Sequence, residues 1–441
     1  MTRRLSSRRR FLKQLGLAAA VPAIIPASAL GRGGLPAPSD RITMGFIGMG
    51  SMGLNNLRGF IRMPDVQVLA VCDVNTSGEN YAGSGPKGRE PARQYVETTY
   101  AERTNGGSYS GCDGYAFFWQ VLERSDIDAV CMALPDHWHG YMTVAAAAAG
   151  KDIYGEKPLA RTIREGRKMV DAVRRHDCVF QTGSQQRSDA RFRHACELAR
   201  NGYVGEIRKV YAQVGGISKP FPHGEEPVPE GFLYELWLGN APSAPYHSER
   251  VSGGYNTEEG AWRAWRPYSA GHIADWGAHN FDIAHWGLGV DRSGPMQLVD
   301  ASEAPEEELT LMYEGDIPVI KKKGPHEGMV QFIGTDGWVG VSRGDIWASD
   351  ERLLEQQMQP GDVRLYHSDD HRRDFLNCVK TRSRPVCDVE IGHSSLVACL
   401  TSEICMRVGR SLTWNPKRER FKDDDEANKL LTRPMRKPWR V

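Results

Sequence analysis

The stretch Ile42-Thr43-Met44-Gly45-Phe46-Ile47-Gly48-Met49-Gly50-Ser51-Met52-Gly53 decides the fold. Its first six residues form an apolar run that predicts a buried strand, and a helical pattern follows to Met63. Between them lies a G-x-G-x-x-G turn. Gly48 permits the tight turn, Gly50 lets backbone approach a pyrophosphate, and Gly53 allows close packing of helix on strand. The helix start, at Ser51 and Met52, offers unpaired N–H groups and a partial positive charge to phosphates. Val66 to Cys72 predicts a second strand, ending in Asp73, 20 residues after Gly53. A carboxylate there accepts from a ribose 2′-OH and repels a 2′-phosphate, which favours NAD over NADP.

Downstream, strand and helix patterns continue to alternate. Residues 76–114 are rich in Gly, Ser and Tyr and read as an inserted loop region. Ala116 to Arg124 reads as a helix. Ile127 to Leu134 reads as a third strand, with Pro135-Asp136-His137-Trp138-His139 at its end. An Ala-rich helix closes at Gly150, and Asp152 to Gly155 reads as a fourth strand running into Glu156-Lys157-Pro158. This alternation predicts an α/β chain that starts with a doubly wound parallel sheet. Two more helix–strand units reach about Gly215, then an irregular Trp-rich region spans 216–270. Ala270 to Trp286 reads as one helix. Residues 296–343 read as antiparallel strands, with a hairpin turn at Asp336-Gly337. Asp369 to Lys380 and Gly392 to Val408 read as helices.

Upstream, the chain begins with Ser7-Arg8-Arg9-Arg10-Phe11-Leu12-Lys13, an apolar stretch from Leu15 to Ile25, and Ala27-Ser28-Ala29. The apolar run is short for a membrane span and carries Pro22, so the segment reads as a targeting signal without a stable membrane anchor. Its Ser-Arg-Arg-x-Phe-Leu-Lys string resembles the twin-arginine export signal. That resemblance implies folding and cofactor loading before export to the periplasm. The first 29 residues hold six Lys/Arg and no acid, so of a formal charge of +1 the remainder keeps −5. An acidic remainder without a basic patch argues against nucleic acid as a partner. The nine cysteines lack metal-type spacing; Cys72 and Cys131 read as buried small hydrophobes, and a pairing of Cys378 with Cys387 is left open.

Two elements downstream carry candidate chemistry. Glu156-Lys157-Pro158 ends a parallel strand, the edge at which open α/β sheets bind ligands. Pro158 keeps Lys157 out of helical geometry, and a partly buried Lys has a depressed pKa and exchanges protons near neutral pH. In Gly271-x-x-x-Asp275-x-x-x-His279 the carboxylate and imidazole are four apart and share one helix face. Such a pair binds hydroxyls and shuttles a proton, although it also suits a structural contact between domains.

The glycine motif, the Glu-Lys-Pro and the Gly-x-x-x-Asp-x-x-x-His together resemble the Gfo/Idh/MocA family of glucose–fructose oxidoreductase and inositol dehydrogenase, over about residues 41–415. The resemblance implies a Rossmann domain followed by an α/β domain with a large, mainly antiparallel open sheet; with the signal at 1–29 and a Gly- and Pro-rich linker at 30–40, these run over 41–158 and 159–415, before a charged tail at 416–441. It implies a homodimer or homotetramer. It implies Lys157, Asp275 and His279 as the catalytic trio, with His279 as acid/base, Lys157 as its partner and Asp275 orienting a neighbouring hydroxyl. It extends the cofactor site to Pro135, His137, His139, Glu156 and Gln185, and the two histidines have no third partner at metal-ligand spacing.

Trp237, Trp262, Trp265 and Trp276 cluster with Arg263, Arg266 and Tyr268. Indole faces pack on the C–H faces of sugars while polar forks take the hydroxyls, so Trp262, Arg263, Arg266, Trp276 and Arg187 are candidate substrate residues. At least half of these aromatics also suit a core. The reading is an NAD-dependent oxidoreductase of a saccharide or glycoside hydroxyl. Two alternatives stand beside it: an NAD-dependent glycoside hydrolase working by transient oxidation and elimination, and a non-catalytic carbohydrate-binding protein.

Overall fold

Six parallel strands stand in the order β3-β2-β1-β4-β5-β6, the doubly wound arrangement read from the sequence. They are β1 (Ile42–Ile47), β2 (Val66–Cys72), β3 (Asp113–Tyr115), β4 (Ala129–Met132), β5 (Asp152–Gly155) and β6 (Phe180–Thr182). The computed structural model describes residues 36–78, 81, 84–103, 107–252 and 261–441. Residues up to Arg41 form one unit and Ile42–Val441 another. The expected signal at 1–29 and most of the linker at 30–40 lie outside the described residues. No described helix is long and apolar enough to cross a membrane.

The crossovers of this sheet are α1 (Ser51–Phe60), α2 (Arg89–Arg103), α3 (Phe118–Leu122), α4 (Asp136–Ala148) and α5 (Ile163–Arg175). Helix α2 and strand β3 correct the inserted-loop reading of 76–114. Ala92, Val96 and Tyr100 of α2 repeat every four residues and are buried, a spacing hidden by the polar composition around them. Strand β6 pairs with β5, so the parallel sheet extends past the boundary expected at 158.

The second sheet has nine strands in the order β13-β12-β11-β7-β10-β9-β8-β14-β15. It is antiparallel apart from the β7–β10 pair. Its strands are β7 (Ile207–Ala212), β8 (Gln297–Val299), β9 (Thr310–Tyr313), β10 (Ile317–Ile320), β11 (Val330–Gly334), β12 (Trp338–Val341), β13 (Ile346–Ala348), β14 (Leu412–Asn415) and β15 (Arg420–Phe421). The hairpin at Asp336-Gly337 joins β11 to β12 as expected. The remaining helices are α6 (Ala190–Arg200), α7 (Tyr234–Leu238), α8 (Ser248–Val251), α9 (His272–Asp275), α10 (Gly277–Leu288), α11 (His371–Thr381), α12 (Val389–Val408) and α13 (Asp425–Lys429). Helix α10 is buried on every side, packed among α6, α12 and the sheet, and carries its polar residues inward.

Beyond Asn415 the chain is structured, contrary to the expected tail. Phe421 and Leu431 are buried, and Trp439 packs on Trp138 and Phe118. All nine cysteines are buried and free, including Cys378 and Cys387.

Candidate active site

The glycine turn does what its spacing predicts. Gly48 sits at φ +89°, and a Cβ on Gly53 would lie 1.8 Å from the Gly48 carbonyl oxygen. The turn opens into a cleft of about 400 Å³. Its lining runs from Gly48, Gly50, Ser51, Met52 and Asp73, past Pro135, to Glu156, Lys157, Asp275, Trp262 and Arg263. A Cβ on Gly48 would lie 2.3 Å from the Ala133 carbonyl oxygen and one on Gly50 3.0 Å from the Tyr81 ring, so only glycines let the turn close this tightly, and a pyrophosphate fits against its bare backbone.

Asp73 is buried at the cleft edge. Its carboxylate accepts from the Met49 N–H (2.6 Å), the Asn75 N–H (2.8 Å) and the Tyr81 hydroxyl (2.8 Å). Burial raises its pKa, and these donors work against that rise. Tyr81, which lines the cleft beside it, carried no motif and was not found from sequence.

At the other end, the Lys157 ammonium donates to the Asp275 carboxylate at 2.7 Å and to the Asp275 carbonyl at 3.0 Å. The side chains are 9% and 4% exposed. Burial pushes the Asp275 carboxyl up, but the charges of Lys157 and Arg263 outweigh it and hold the pKa well below the carboxylate range. Arg263 Nε stands 3.4 Å from the same carboxylate, and its guanidinium lies over the Trp262 ring at 4.2 Å.

The single helix expected over Ala270 to Trp286 is broken at Trp276 into α9 and α10. The Asp275 carbonyl takes Lys157, while the His279 N–H turns to the Trp276 carbonyl at 3.0 Å. Asp275 and His279 are therefore not one regular helix face, yet they remain neighbours. His279 lies behind the pair and does not line the cleft itself. Its Nδ1 is buried and has no hydrogen-bond partner among the described residues. Burial, then the Lys157 and Arg343 charges, holds its pKa well below the ordinary value, which keeps the imidazole neutral.

Asp136, at the start of α4, is a further acid beside the site that its motif alone did not single out. Burial pushes its carboxyl up to about 7, against a Ser269 hydrogen bond and with help from the Asp275 charge.

Several expected contacts are spent on the fold instead. His137 Nε2 meets the Trp237 carbonyl at 3.0 Å, and His139 lies between the carbonyls of Pro158 (2.7 Å) and Leu134 (2.9 Å). His139 thus has both ring nitrogens against carbonyls, while His137 keeps its buried Nδ1 without a hydrogen-bond partner among the described residues. Arg187 is buried in ion pairs with Asp282 (2.7 Å) and Asp291 (2.6 Å), which removes it from the substrate set. Gln185, Arg266 and Trp276 stand outside the cleft lining. Gln185 reaches the Tyr154 hydroxyl at 3.5 Å, the Arg266 carbonyl takes Arg161, and Trp276 lies under Arg343. Trp265 and Tyr268 belong to a buried cluster with Trp237 and Trp262. Glu156 lines the cleft and accepts from Asn56 Nδ2 at 2.9 Å.

Two family profiles match the chain along this same architecture. Residues 42–184 match an oxidoreductase-family NAD-binding Rossmann fold, and residues 222–441 match the C-terminal alpha/beta domain of the same family. The chain belongs to the Gfo/Idh/MocA oxidoreductase family. Among curated members, a Glycosyl hydrolase family 109 protein of Shewanella pealeana is 28% identical over 218 residues, which is 46% of this chain and 44% of that protein. The uncharacterized oxidoreductase YrbE of Bacillus subtilis is 26% identical over 168 residues, 38% of this chain and 42% of that one. The chain thus matches less than half the length of these two relatives. Among solved structures of the same fold, the WlbA dehydrogenase of Bordetella pertussis, in complex with NADH and UDP-GlcNAcA, has a TM-score of 0.55 at 17% identity. That match covers 85% of this chain and 99% of the other. Aldose-aldose oxidoreductase of Caulobacter crescentus, complexed with glycerol, has a TM-score of 0.52 at 17% identity, with the same coverage.

Proposed function

We propose that this Gfo/Idh/MocA member is an NAD-dependent oxidoreductase of a saccharide or glycoside hydroxyl. The observation that carries the reading is the Lys157–Asp275 pair at the end of the cleft that begins in the glycine turn. The NAD preference rests on Asp73, whose carboxylate lines the cleft where a 2′-phosphate would meet it. A bound nicotinamide would take a hydride from the substrate carbon.

The chain's own residues manage the proton and the orientation. Lys157, aimed by both oxygens of Asp275, donates to the substrate oxygen. His279 is neutral, the form that accepts a proton, and stands outside the cleft lining, so the hydroxyl proton would have to reach it past the Lys157–Asp275 pair. Trp262 offers an indole edge to the sugar, and Arg263 offers a charged fork.

A second reading, glycoside hydrolysis through transient oxidation, is favoured by the Shewanella relatives, which are named Glycosyl hydrolase family 109 proteins. Incubating the purified protein with aryl glycosides, without added NAD, separates the two. Stoichiometric reduction of bound cofactor followed by arrest supports the oxidoreductase. Released aglycone without net reduction supports the hydrolase. Neither change, in protein shown to hold the cofactor, would leave a carbohydrate-binding role.

We further propose export of the folded, loaded protein to the periplasm by the segment at residues 1–29 and assembly into a homodimer or homotetramer. Fusing that segment to a reporter that must be exported folded tests the first. Light scattering of the purified chain tests the second.

A further inference from the structure

One wall of the cleft comes from far along the chain. Directly after Asp73, the Thr76 N–H donates to the Gly231 carbonyl (3.0 Å) and the Leu233 N–H to the Val74 carbonyl (3.0 Å). Helix α7 follows and brings Leu236 and Trp237 into the cleft lining. The wall is tied inward by the Trp237 carbonyl, which accepts from Trp138 Nε1 at 2.9 Å. A dinucleotide seated in the glycine turn would lie against this wall.

The outside of the wall is held by a segment some 200 residues away. Arg436 donates to three acceptors at the C-terminal end of α7: the Gly239 carbonyl (2.9 Å), the Glu235 carboxylate (2.9 Å) and the Glu235 carbonyl (3.3 Å). Its own N–H donates to the Asn240 carbonyl at 3.1 Å. A cation there faces the carbonyl end of the helix, where the Glu235 carbonyl also accepts from the Gly239 N–H at 3.1 Å. Arg433 ties the Asn240 side chain (3.0 Å) to Glu165 of α5 (2.7 Å) and to the His137 carbonyl (2.9 Å). Trp439 completes the contact by packing its ring 5.4 Å from Trp138 and 5.8 Å from Phe118, both of which line the cleft from within.

We infer that residues 433–439 are a strap that sets how long the dinucleotide stays bound, with Arg436 and Arg433 as retention residues that latch the 231–240 wall over the cleft. Release follows local opening, and opening costs the contacts that close the wall. Neither arginine lines the cleft, so both act through the wall and not on the reacting atoms. The inference rests on the dinucleotide reading of the cleft.

The test uses the full chain loaded with NAD. Release is timed by an excess of a second dehydrogenase that consumes free NAD. Arg436→Gln is compared with the parent, with Glu235→Gln, which weakens the same latch from its exposed side, and with Arg352→Ala as a surface control. The expected result is release about tenfold faster for Arg436→Gln, an intermediate acceleration for Glu235→Gln, and parental release for Arg352→Ala. Turnover per bound dinucleotide should stay within about twofold of the parent, because the catalytic end is untouched. A merely structural role would lower the apo melting temperature and leave release from the folded fraction unchanged; that result overturns the inference. Should Arg436→Gln not fold, parental release in Glu235→Gln overturns it as well. A parent chain that takes up neither NAD nor NADP overturns the cofactor reading itself, and the titration that shows this precedes the variants.

Discussion

The Lys157 ammonium holds both the carboxylate and the backbone carbonyl of Asp275, 118 residues away in sequence. That carbonyl would otherwise receive the His279 N–H in a continuous helix. Diverting it breaks the helix at Trp276 and fixes Lys157 in two directions. The expected outcome of Lys157→Met is a loss of turnover of about 10²- to 10⁴-fold. The stranded Asp275 carboxylate should also cost about 3–5 kcal/mol of stability. Chemical denaturation of Lys157→Met, Asp275→Asn and the double variant checks it. The double variant should lose clearly less than the two single losses added together.

The His279 imidazole is held neutral by burial and by the charges of Lys157 and Arg343. The acid limb of kcat/KM should therefore fall below the ordinary histidine range. His279→Gln should reduce kcat by about 10²-fold or more with the fold intact. Steady-state profiles across pH 5 to 9, with circular dichroism of the variant, read both.

Asp136 has its pKa raised by burial to about 7. In the unfolded chain it ionises near 3.8, so between those values the folded state binds more protons than the unfolded one. Stability from this group is full below about pH 4 and declines as pH rises to about 7, then levels. Asp136→Asn should remove that decline, narrowing the loss of unfolding free energy over this window by a few kcal/mol at most. Urea melts of parent and variant at pH 4.5, 6 and 7.5 show whether the slope disappears.

A methyl group on Gly53 would meet the Gly48 carbonyl oxygen at 1.8 Å. Gly53→Ala must push helix α1 from the turn, at a cost of about 1–3 kcal/mol, and it spoils the pyrophosphate cradle. Isothermal titration should give at least about tenfold weaker NAD binding. Asp73→Asn turns an amide N–H towards one of the Met49, Asn75 and Tyr81 donors, so it should loosen the turn as well as shrink the preference for NAD over NADP by about tenfold.

Arg187 is 1% exposed between Asp282 and Asp291. Arg187→Met should destabilise the protein by about 3–5 kcal/mol through stranded carboxylates. In the fraction that remains folded, KM for the sugar should not change. A selective rise in KM would return Arg187 to the substrate set.

Apart from β3, the parallel sheet was legible in the sequence because its strands and turns are specified locally. An apolar run, a glycine where φ is positive and a carboxylate at the next strand end need no partner from elsewhere to be read. Helix α2 was not legible in the same way. Its three buried residues lie among charged neighbours, and only packing on the sheet distinguishes that face.

The sequence by itself determined the nucleotide-binding turn at Gly48–Gly53, Asp73 at the next strand end and Lys157 at the edge where ligands bind, since these follow from short-range geometry. Only the tertiary structure decided which polar side chains remain available to a ligand. Arg187 has the composition of a site residue, but ion pairs with Asp282 and Asp291, about a hundred residues on, consume it, and both ring nitrogens of His139 go to carbonyls. Arg436 and the wall at 231–240 carry no motif, and their meaning arises from pairings across more than a hundred residues; Tyr81 carries none either, although Asp73 is only eight residues away. Burial makes those pairings obligatory, because a polar group removed from water must find a partner, and spacing along the chain does not say which one it finds.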